Sequence, residues 1–548
     1  MNKPSLIAGS ASAWLRAWAG YLLIGGIIAF AWLGSSDIVA MEGIVADGAR
    51  HIERTGKIWV PHLYGEPYNY KPPIVYWMAL GSFRLFGVEN EWTLRLPIAM
   101  CGFLSGAAIL ALLGGVIGPG RAAVSAIAAI SGMIVIQKSR LAEFDTPLAL
   151  GVGLATCCAL RMLVTGRGSW WLWPLAYVGL PFGLLAKGIP AVMVFGPALI
   201  VAAFVVGRLR SLFGPAHLLS FAGFCGVAAF YVWSVQQEFG LHAFRQTFSE
   251  AHSRGSAWTV LAVLVTLAKP AIVAVIFLPW SPMILLAFDR EWRMSLDDPI
   301  RRTTLGALSF LATGMLAFMI VPTHETRYYV PLMTALGIVV GIVCTTGESI
   351  ARWNFLRQIG ARLTALGVGI VAIVFTFVAA RELLRDSEFE GTWLGIAVLA
   401  ACGVTAVALA AGVARRLGSS DAAAMQIAAA MCAWAFVTLY DVPKRAADRS
   451  LHRVAEAFVH DLKRGERVWV DFDDDHSSLV FYLGCDARWF RRGDAWPPAG
   501  EKLIVYKDRR VDQLGELSAA FPGRVESLAE AAQRHWTFTL CRVRAESE

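Results

Sequence analysis

The chain has 548 residues, of which 56% belong to the hydrophobic AVILMFWYC set and 16% are charged; its formal net charge is +8. Soluble domains are roughly 45–50% apolar and about 25% charged, so a water-soluble fold could not hide this much apolar surface. The composition predicts a polytopic membrane protein. The modest positive charge, which forms no basic stripe, argues against a nucleic-acid partner.

Apolar segments long enough to cross a bilayer recur along the chain. We predict about thirteen spans, each needing roughly 20 apolar residues. An odd number places the two termini on opposite sides of the membrane. No cleavable signal peptide is evident, so the first span is expected to be retained. The predicted spans are 17–35, 96–116, 121–137, 146–164, 170–186, 188–206, 215–235, 258–287, 303–322, 328–346, 361–380, 393–413 and 424–440.

The arginines in the short connections indicate how the chain is oriented. Cytoplasmic loops carry an excess of Lys and Arg, and a cytoplasmic N-terminus puts most lone arginines on that side. These are Arg121, Arg161, Arg167, Arg208, Arg210, Arg301, Arg302, Arg415 and Arg416. The sequence therefore predicts an inner-membrane protein whose loop 36–95 and C-terminal region are periplasmic.

Loop 36–95 is too long and too patterned to be a simple connector within the predicted membrane domain, 1–440. Between Met41 and Arg54, the apolar Val45 and Ile52 fall on one helical face and charged residues on another. This pattern predicts an amphipathic helix on the membrane surface. After a Gly- and Pro-rich turn, the aromatic run Ile74–Phe86 predicts a second interfacial helix.

Residues 441–548 have the composition of a soluble domain, and alternating patterns predict a small periplasmic α/β domain. Cys485 and Cys541 are the cysteines of this region, and a periplasmic location would allow a disulfide between them. An acidic run at Asp471 and 473–475 favours a solvated loop over a metal site. The predicted elements are helices at Arg449–Leu462, Ser477–Tyr482 and Val511–Ala520 and strands at Arg467–Phe472 and Lys502–Tyr506.

Ionisable residues gather at the predicted periplasmic ends of the spans and in the periplasmic loops. Charged groups at membrane depth are costly and mark functional sites, although each alone is more often a surface or snorkelling residue. Their joint placement on one side suits chemistry on an anionic lipid headgroup. The candidates are Asp37, Glu42, Asp47, Lys71, Lys138, Arg140, Asp145, Lys187, His252, Arg254, His324 and Arg327.

Several short motifs occur one after another between residues 42 and 329. Glu42–Asp47 is followed by TGKIWVPHLYGEPYNYKPPIVYW, and then come RLAEFD at Arg140–Asp145 and AKG at Ala186–Gly188. Phe248–Arg254 reads F-x-x-x-H-x-R, Pro279–Trp280 reads PW, and Arg327–Tyr329 reads RYY. The chain thus resembles bacterial GT-C glycosyltransferases, in particular lipid A aminoarabinose transferases and protein mannosyltransferase-like enzymes. The fold implied is a GT-C-like helical bundle.

The resemblance implies a polyprenyl-phosphate sugar as donor, a lipid or glycan as acceptor, and an inverting transfer. Lys71, Arg254, Arg327 and Lys187 would then bind the donor phosphate, where cations stabilise the leaving group. Glu42, Asp145 and Asp37 are the candidate catalytic carboxylates, and Glu42 and Asp145 are also candidate ligands for a divalent metal ion. The residues expected to line the substrate are Asp47, Tyr68, Tyr70, Tyr76, His252 and Tyr328, although interfacial anchoring explains the tyrosines equally well.

One position departs from the family pattern. Met41 stands where these families often have Asp, and a thioether cannot act as a base or bind a hard cation. Glu42, Asp145 or Asp37 would take the role, or an acceptor that is already an ionised phosphate would need no base. An inactive paralogue is the third alternative.

Two further classes of function compete with an enzyme. A lipid-linked sugar transporter or flippase would show paired broken spans in two related halves, and no repeat is evident. A non-catalytic assembly subunit would keep the bundle but tolerate the loss of Lys71 and Asp145. A protein O-glycosyltransferase is the alternative within the same superfamily.

Overall fold

A computed structural model describes most of the chain, namely residues 9–68, 70–166, 170–240, 260–320, 325–346, 350, 352–360, 421–471, 476–490, 496–508, 511–533 and 536–545. The chain forms two compact units. Unit 1 comprises Met1–Trp32, Ile98–Trp233 and Phe244–Asp441, and unit 2 comprises Leu33–Pro97, Ser234–Ala243 and Val442–Glu548. The predicted division at 440 lies within one residue of the boundary after Asp441, but Leu33–Pro97, which the sequence analysis assigns to the membrane domain, is grouped with the C-terminal region.

Unit 1 is built from helices, as the continuous apolar runs of the sequence predict. Helices that are apolar on all sides are found where lipid or other helices surround them. The α-helices that lie in or enter this unit are Ala11–Phe30, Glu91–Ile117, Pro119–Ile130, Met133–Lys138, Asp145–Thr165, Leu172–Lys187, Pro190–Val205, Pro215–Phe239, Val260–Ile276, Arg290–Ser295, Asp298–Ile320, Met333–Thr345 and Asp421–Phe436. The 3₁₀ segments are Leu209–Phe213, Ser281–Phe288 and Thr326–Leu332.

Several helices in the described part of the chain are long and apolar enough to cross a membrane. There are six of these, or seven if the bent pair Val265–Ile276 and Ser281–Phe288 forms one span. A multi-pass membrane protein is thereby confirmed, while the count of about thirteen stays a prediction. The predicted spans 361–380 and 393–413 lie outside the described residues. The six helices are Ala11–Phe30, Glu91–Ile117, Asp145–Thr165, Pro215–Phe239, Asp298–Met319 and Thr326–Thr345.

Close glycine packing joins the helices Asp145–Thr165 and Leu172–Lys187 into an antiparallel hairpin. A Cβ atom added at Gly151 would lie 2.5 Å from the Gly179 carbonyl oxygen, so the two backbones touch. Small residues are what permit such an approach between membrane helices. Because one helix begins at Asp145 and the other ends at Lys187, the hairpin brings these two charged residues to the same end.

In unit 2, the first loop folds into two helices joined by a small hairpin. The loop helix, Ala40–Thr55, and the aromatic helix, Ile74–Phe86, lie where the sequence predicts them. Between them, strands β1 (His62–Leu63) and β2 (Glu66–Pro67) pair antiparallel. The loop helix buries the polar residues Glu42, Asp47 and His51 as well as its apolar face. It is therefore packed against protein on more than the apolar side that its sequence pattern indicates.

The C-terminal region of unit 2 is an α/β domain, which confirms the predicted class. Its sheet has the order β4-β3-β5-β7-β6, with β3 parallel to β4 and β5 and with β7 antiparallel to β5 and β6. The sequence did not reveal β4, β6 and β7. The strands are β3 Arg467–Val470, β4 Asp486–Trp489, β5 Lys502–Lys507, β6 Val525–Gln533 and β7 Trp536–Val543, and the helices are Val442–Arg449, His452–Phe458, Ser477–Leu483 and Gln513–Ala520.

The hypothesis of a disulfide between Cys485 and Cys541 is wrong for this structure, because both are buried free thiols. Cys485 immediately precedes β4 and Cys541 lies on β7, and two strands separate β4 from β7 in the sheet. Three spacings of about 4.8 Å put those strands about 14 Å apart. A disulfide requires Cα atoms within about 7 Å.

The loop helix packs directly on the C-terminal domain, which explains why the two regions form one unit. A Cβ atom at Gly43 would lie 2.3 Å from the Ser477 carbonyl carbon, so only glycine allows this approach. The Arg50 guanidinium donates to the Val480 and Phe481 carbonyl oxygens at 3.3 and 3.2 Å. These carbonyls lie at the end of a helix, where backbone acceptors lack helical partners.

Gly43→Ala is expected to destabilise the protein, because the added methyl group meets backbone that cannot rotate away. Overpacking of this kind costs about 1–3 kcal/mol. Gly81→Ala is the matched control, since Gly81 lies on the aromatic helix and a Cβ there meets nothing within 4 Å. In detergent, the melting temperature of the purified protein should be lower than that of wild type for Gly43→Ala but not for Gly81→Ala. An equal transition for both variants would contradict the packing described.

Candidate active site

A buried ion pair holds the carboxylate that the sequence predicts to be catalytic. The Arg95 guanidinium donates to both carboxylate oxygens of Glu42, with Nε–Oε1 at 2.7 Å and Nη2–Oε2 at 2.8 Å. Both side chains are essentially inaccessible, at 1% and 0% exposure. This bidentate geometry is the strongest form of such a pair. Glu42 is thus engaged by a cation that the sequence analysis did not single out.

The same guanidinium organises the chain just before Glu42. Arg95 Nη1 donates to the carbonyl oxygens of Leu33 and Ser36 at 3.2 and 2.7 Å, and Nη2 donates to that of Asp37 at 2.9 Å. The Val39 amide donates to Glu42 Oε2 at 3.2 Å. The backbone from 33 to 39 is therefore fixed by the Glu42–Arg95 pair.

Asp37, a second candidate catalytic carboxylate, is only partly buried. Its Oδ2 accepts a hydrogen bond of 2.6 Å from Ser450 Oγ, and its Oδ1 lies 3.6 Å from His452 Nδ1. The side chain keeps 38% exposure. Of the carboxylates that the sequence predicts in the first loop, Asp37 is the one that a substrate could approach directly.

Asp47, predicted to line the substrate, is buried within unit 2. Its Oδ2 accepts from the Tyr64 amide at 2.9 Å, and Arg54 Nη2 lies 3.9 Å from Oδ1. Loss of solvation raises the pKa of this carboxyl, and the Tyr64 hydrogen bond and Arg54 oppose that rise only in part. These contacts join Asp47 to the hairpin that follows the loop helix.

A pair of histidines that the sequence analysis missed lies beside Asp47. The rings of His51 and His62 stack with centroids 4.2 Å apart and planes 8° from parallel. Glu238 Oε1 lies 3.2 Å from His62 Nε2 and 2.6 Å from Lys57 Nζ. Burial, together with His62 and nearby cations, lowers the pKa of His51 to about 4, and burial also lowers the pKa of His62.

The remaining predicted residues of the first loop surround its K-P-P segment. Tyr68 and Tyr70 make an edge-to-face contact at 5.1 Å, and Tyr70 is 45% exposed. Tyr76 is fully buried against Gly48 of the loop helix, which argues for packing rather than substrate lining at this position. Lys71 is half-buried and immediately precedes the two prolines that lead into the aromatic helix.

The other predicted cluster lies in unit 1, where Lys187 donates to Asp145 Oδ1. Both side chains are buried, at 7% and 3% exposure. The Lys187 ammonium also lies 4.3 Å from the ring centroid of Tyr328, a cation–π contact. Arg327 is the next residue back in the chain and lies 3.3 Å from Glu325. Asp145, Lys187, Arg327 and Tyr328 are therefore gathered at one place.

Two cations near this cluster have structural partners. Arg140 donates to the carbonyl oxygens of Ile28 and Ala31 at 3.2 and 2.6 Å, which ties it to the first helix. Lys138 pairs with Glu143 at 2.8 Å, a carboxylate that the sequence analysis did not single out. Both contacts hold the segment that leads into Asp145.

The predicted residues thus fall into two groups, one in each unit. His252, Arg254 and His324 lie outside the described residues. The group of unit 2 contains Asp37, Glu42, Asp47, Tyr68, Tyr70, Lys71 and Tyr76, and that of unit 1 contains Asp145, Lys187, Arg327 and Tyr328. That both groups serve one site stays a prediction.

The carboxylates predicted as metal ligands do not fit a metal site as they stand. Glu42 is held by Arg95 and Asp145 by Lys187, so each already faces a cation. Within the described ranges, no three His, Cys, Asp or Glu side chains are arranged to hold an ion. A divalent ion would need several oxygen ligands that these two residues do not supply.

Arg95→Met should destabilise the protein strongly, because it leaves the Glu42 carboxylate buried without a counter-charge. Removing one member of a buried pair costs about 3–5 kcal/mol. Arg84→Met is the control, since Arg84 and Glu53 form an exposed pair worth less than about 1 kcal/mol. The melting temperatures of the two variants in detergent distinguish these cases. Equal decreases would show that the buried Glu42–Arg95 pair stabilises the protein no more than an exposed pair does.

The His51 pair predicts how stability depends on pH. The folded-state pKa of about 4 lies below the ordinary 6.5, so between these values the unfolded chain takes up a proton that folded His51 refuses. The free energy of unfolding should therefore decrease as the pH is lowered through this range, by up to about 1.4 kcal/mol per pH unit. Between pH 7 and pH 5, the melting temperature should decrease less in His51→Gln than in wild type. His460→Gln, which changes an exposed histidine, is the control and should behave like wild type. Identical slopes in all three proteins would contradict the assignment.

Sequence comparisons place the chain near mannosyltransferases. Residues 70–234 match the family described as dolichyl-phosphate-mannose-protein mannosyltransferase. The protein named "Putative mannosyltransferase YycA" from Bacillus subtilis (strain 168) is 29% identical over 139 residues, which are 25% of this chain and 20% of that protein. An uncharacterized protein of Aquifex aeolicus (strain VF5) is 25% identical over 307 residues, 54% of this chain and 58% of that protein. The matched regions thus span about a fifth of the length of the first relative and somewhat over half of the length of the second.

Structural comparison gives a match along nearly the whole chain. ArnT from Cupriavidus metallidurans bound to undecaprenyl phosphate superposes with a TM-score of 0.74 at 17% identity, covering 97% of this chain and 98% of that one. Its apo form gives 0.72 at the same identity and coverage. The chain therefore has the fold of ArnT, and the resemblance that its loop motifs predict is confirmed at the level of the fold.

Proposed function

We propose that the chain is an integral membrane glycosyltransferase that moves a sugar from a polyprenyl phosphate to an acceptor at the periplasmic face of the bacterial inner membrane. The observation that carries this proposal is the buried Asp145–Lys187 pair, with Tyr328 and Arg327 beside it. Buried charges at the ends of membrane helices are expensive and point to function. The ArnT structure with bound undecaprenyl phosphate supports the lipid class of the donor.

The donor phosphate would be bound by Lys187 and Arg327, joined by Lys71 and Arg254. As the glycosidic bond breaks, negative charge grows on the leaving phosphate, and cations fixed beside it lower the barrier. The Tyr328 ring holds the Lys187 ammonium in place without neutralising it. A phosphate that takes up contact with Lys187 would release Asp145 from its present partner.

Asp145 is the carboxylate that we propose as general base. It would accept the proton of an acceptor hydroxyl while the acceptor oxygen attacks C1 of the sugar, and the phosphate would leave from the opposite face with inversion. A positioned base of this kind contributes about 10²–10⁴-fold. An acceptor that is already an ionised phosphate would need no base, and Asp145 would then serve to orient Lys187.

Glu42 is better suited to hold the first loop than to carry a proton. Its two carboxylate oxygens receive the Arg95 guanidinium, and no part of it is exposed. Met41, at the position where related enzymes often have Asp, offers no base in its place. We propose that Asp37, with its partly exposed carboxylate, faces the acceptor from this loop.

Lipid A or another envelope glycolipid is the acceptor class that we favour, because the loop motifs resemble those of the lipid A aminoarabinose transferases. A protein acceptor is the second candidate, since the family matched by residues 70–234 is described as protein mannosyltransferases. The two differ in the product, which is a heavier lipid in one case and a glycosylated protein in the other.

Mass spectrometry of envelope lipids and proteins, in cells with no copy, the wild type or a variant, tests the function. Wild type should yield a species heavier by one sugar. Asp145→Asn keeps the size of the side chain but removes its charge, and it should lower this product by about 100-fold or more. The variant must reach wild-type abundance in the membrane for the comparison to hold.

Asp298→Asn is the matched control for this experiment. Asp298 also begins a membrane helix and pairs with arginines, here the more exposed Arg301 and Arg302 on the predicted cytoplasmic side. Cells that carry Asp298→Asn should form as much product as cells that carry the wild-type protein. Full product from Asp145→Asn would remove Asp145 from the mechanism. Identical envelopes with and without the wild-type protein, with donor present, would refute the proposed function.

A further inference from the structure

The C-terminal domain reaches into the carboxylate segment of the first loop through one tyrosine. Tyr482 lies on the Ser477–Leu483 helix. Its hydroxyl accepts a hydrogen bond of 2.8 Å from the Ile38 amide and donates one of 3.0 Å to Glu91 Oε1. The two partners are 444 and 391 residues away in sequence, so this contact arises only in the folded unit.

Each of these partners lies about one helical turn before one member of the Glu42–Arg95 pair in sequence. Ile38 directly follows Asp37, the segment whose carbonyl oxygens Arg95 holds. Glu91 begins the helix that presents Arg95 one turn later. One hydroxyl thus links the loop entry at Ile38 to the helix that carries its anchoring cation.

The surroundings of Tyr482 also touch the Asp37 carboxylate. The His452 ring stacks on the Tyr482 ring with centroids 4.3 Å apart and planes 11° from parallel, and its Nδ1 faces Asp37 Oδ1. Ser450 donates to the other oxygen of the same carboxylate. Burial and the carboxylates of Glu91 and Asp37 raise the pKa of Tyr482, so its hydroxyl stays protonated and able to donate.

We infer that Tyr482 is a positioning residue for the transfer reaction, holding the Asp37–Glu42 segment in its working geometry from the C-terminal domain. The inference rests on the proposed function and assigns the C-terminal domain a part in it. Reacting groups displaced by about 1 Å can lose about 100-fold in rate, so a shift of this segment is expected to lower the rate of transfer.

Tyr482→Phe removes the hydroxyl but keeps the ring that stacks on His452. Product formation in cells should fall about tenfold, the equivalent of one net hydrogen bond of about 1.4 kcal/mol. Binding of undecaprenyl phosphate to the purified full-length variant should stay within about twofold of wild type, because the donor cations are elsewhere. Tyr506→Phe is the matched control, since this tyrosine of the same domain packs on His476 and Phe538.

Hydrogen–deuterium exchange gives a readout that does not depend on activity. The amide of Ile38 should exchange faster in Tyr482→Phe than in wild type or Tyr506→Phe, because its acceptor is gone. Faster exchange with full product would overturn the positioning role. Loss of undecaprenyl phosphate binding together with product would also overturn it, since the effect would then be general unfolding.

A double variant tests whether the hydroxyl acts through Glu91. If the two residues work through one hydrogen bond, Tyr482→Phe combined with Glu91→Gln should cost less than the sum of the single losses. Additive losses would contradict this route. If wild type itself forms no product, the proposed function fails, and unchanged Ile38 exchange in Tyr482→Phe would separately refute the contact.

Discussion

One buried guanidinium fixes the geometry on which the first loop depends. Arg95 reaches back to the Leu33, Ser36 and Asp37 carbonyl oxygens and to both oxygens of Glu42, so a single side chain joins the beginning and the end of the loop. Closing a chain segment of this length costs conformational entropy, and the closure is held only if its contacts are strong. A charge-assisted, bidentate pair shielded from water meets that requirement.

The buried carboxylates of Glu42 and Asp145 are each paired with a cation, and that pairing has a chemical meaning. A lone carboxylate or ammonium in an apolar bundle would be driven to its neutral form, whereas a paired one keeps its charge. Lys187 and Asp145 hold each other in this way. The phosphodiester monoanion of an incoming polyprenyl-phosphate sugar is the kind of ligand that could replace the carboxylate on Lys187, because it brings charge of the same sign. Donor binding and exposure of the base would then be one event.

The sequence predicted what depends on local patterns. Hydrophobic periodicity and a K-P-P boundary located the Ile74–Phe86 helix to the residue, and ionisable groups among apolar runs singled out Asp145 and Lys187. It did not predict Arg95, because an arginine four residues into a spanning helix resembles any interfacial charge. Nor did it predict the stacking of His51 on His62, which depends on how the intervening turn folds, or the strands β4, β6 and β7; β6 reads VESLAEAAQ and is rich in the helix-forming residues Ala and Glu. The sequence alone showed that Met41 departs from the family pattern, whereas the pairing of Glu42 with Arg95 is visible only in the structure.

The most direct test of the account is reconstitution of the transfer itself. The purified full-length protein in lipid nanodiscs would be mixed with polyprenyl-linked sugars and envelope lipids extracted from cells that lack it, and both lipid classes would be followed by mass spectrometry. The account predicts that free polyprenyl phosphate and a lipid heavier by one sugar appear in equal amounts. Translocation or binding of the donor with its sugar still attached, and no new glycosylated lipid or protein, would contradict the assignment of a glycosyltransferase.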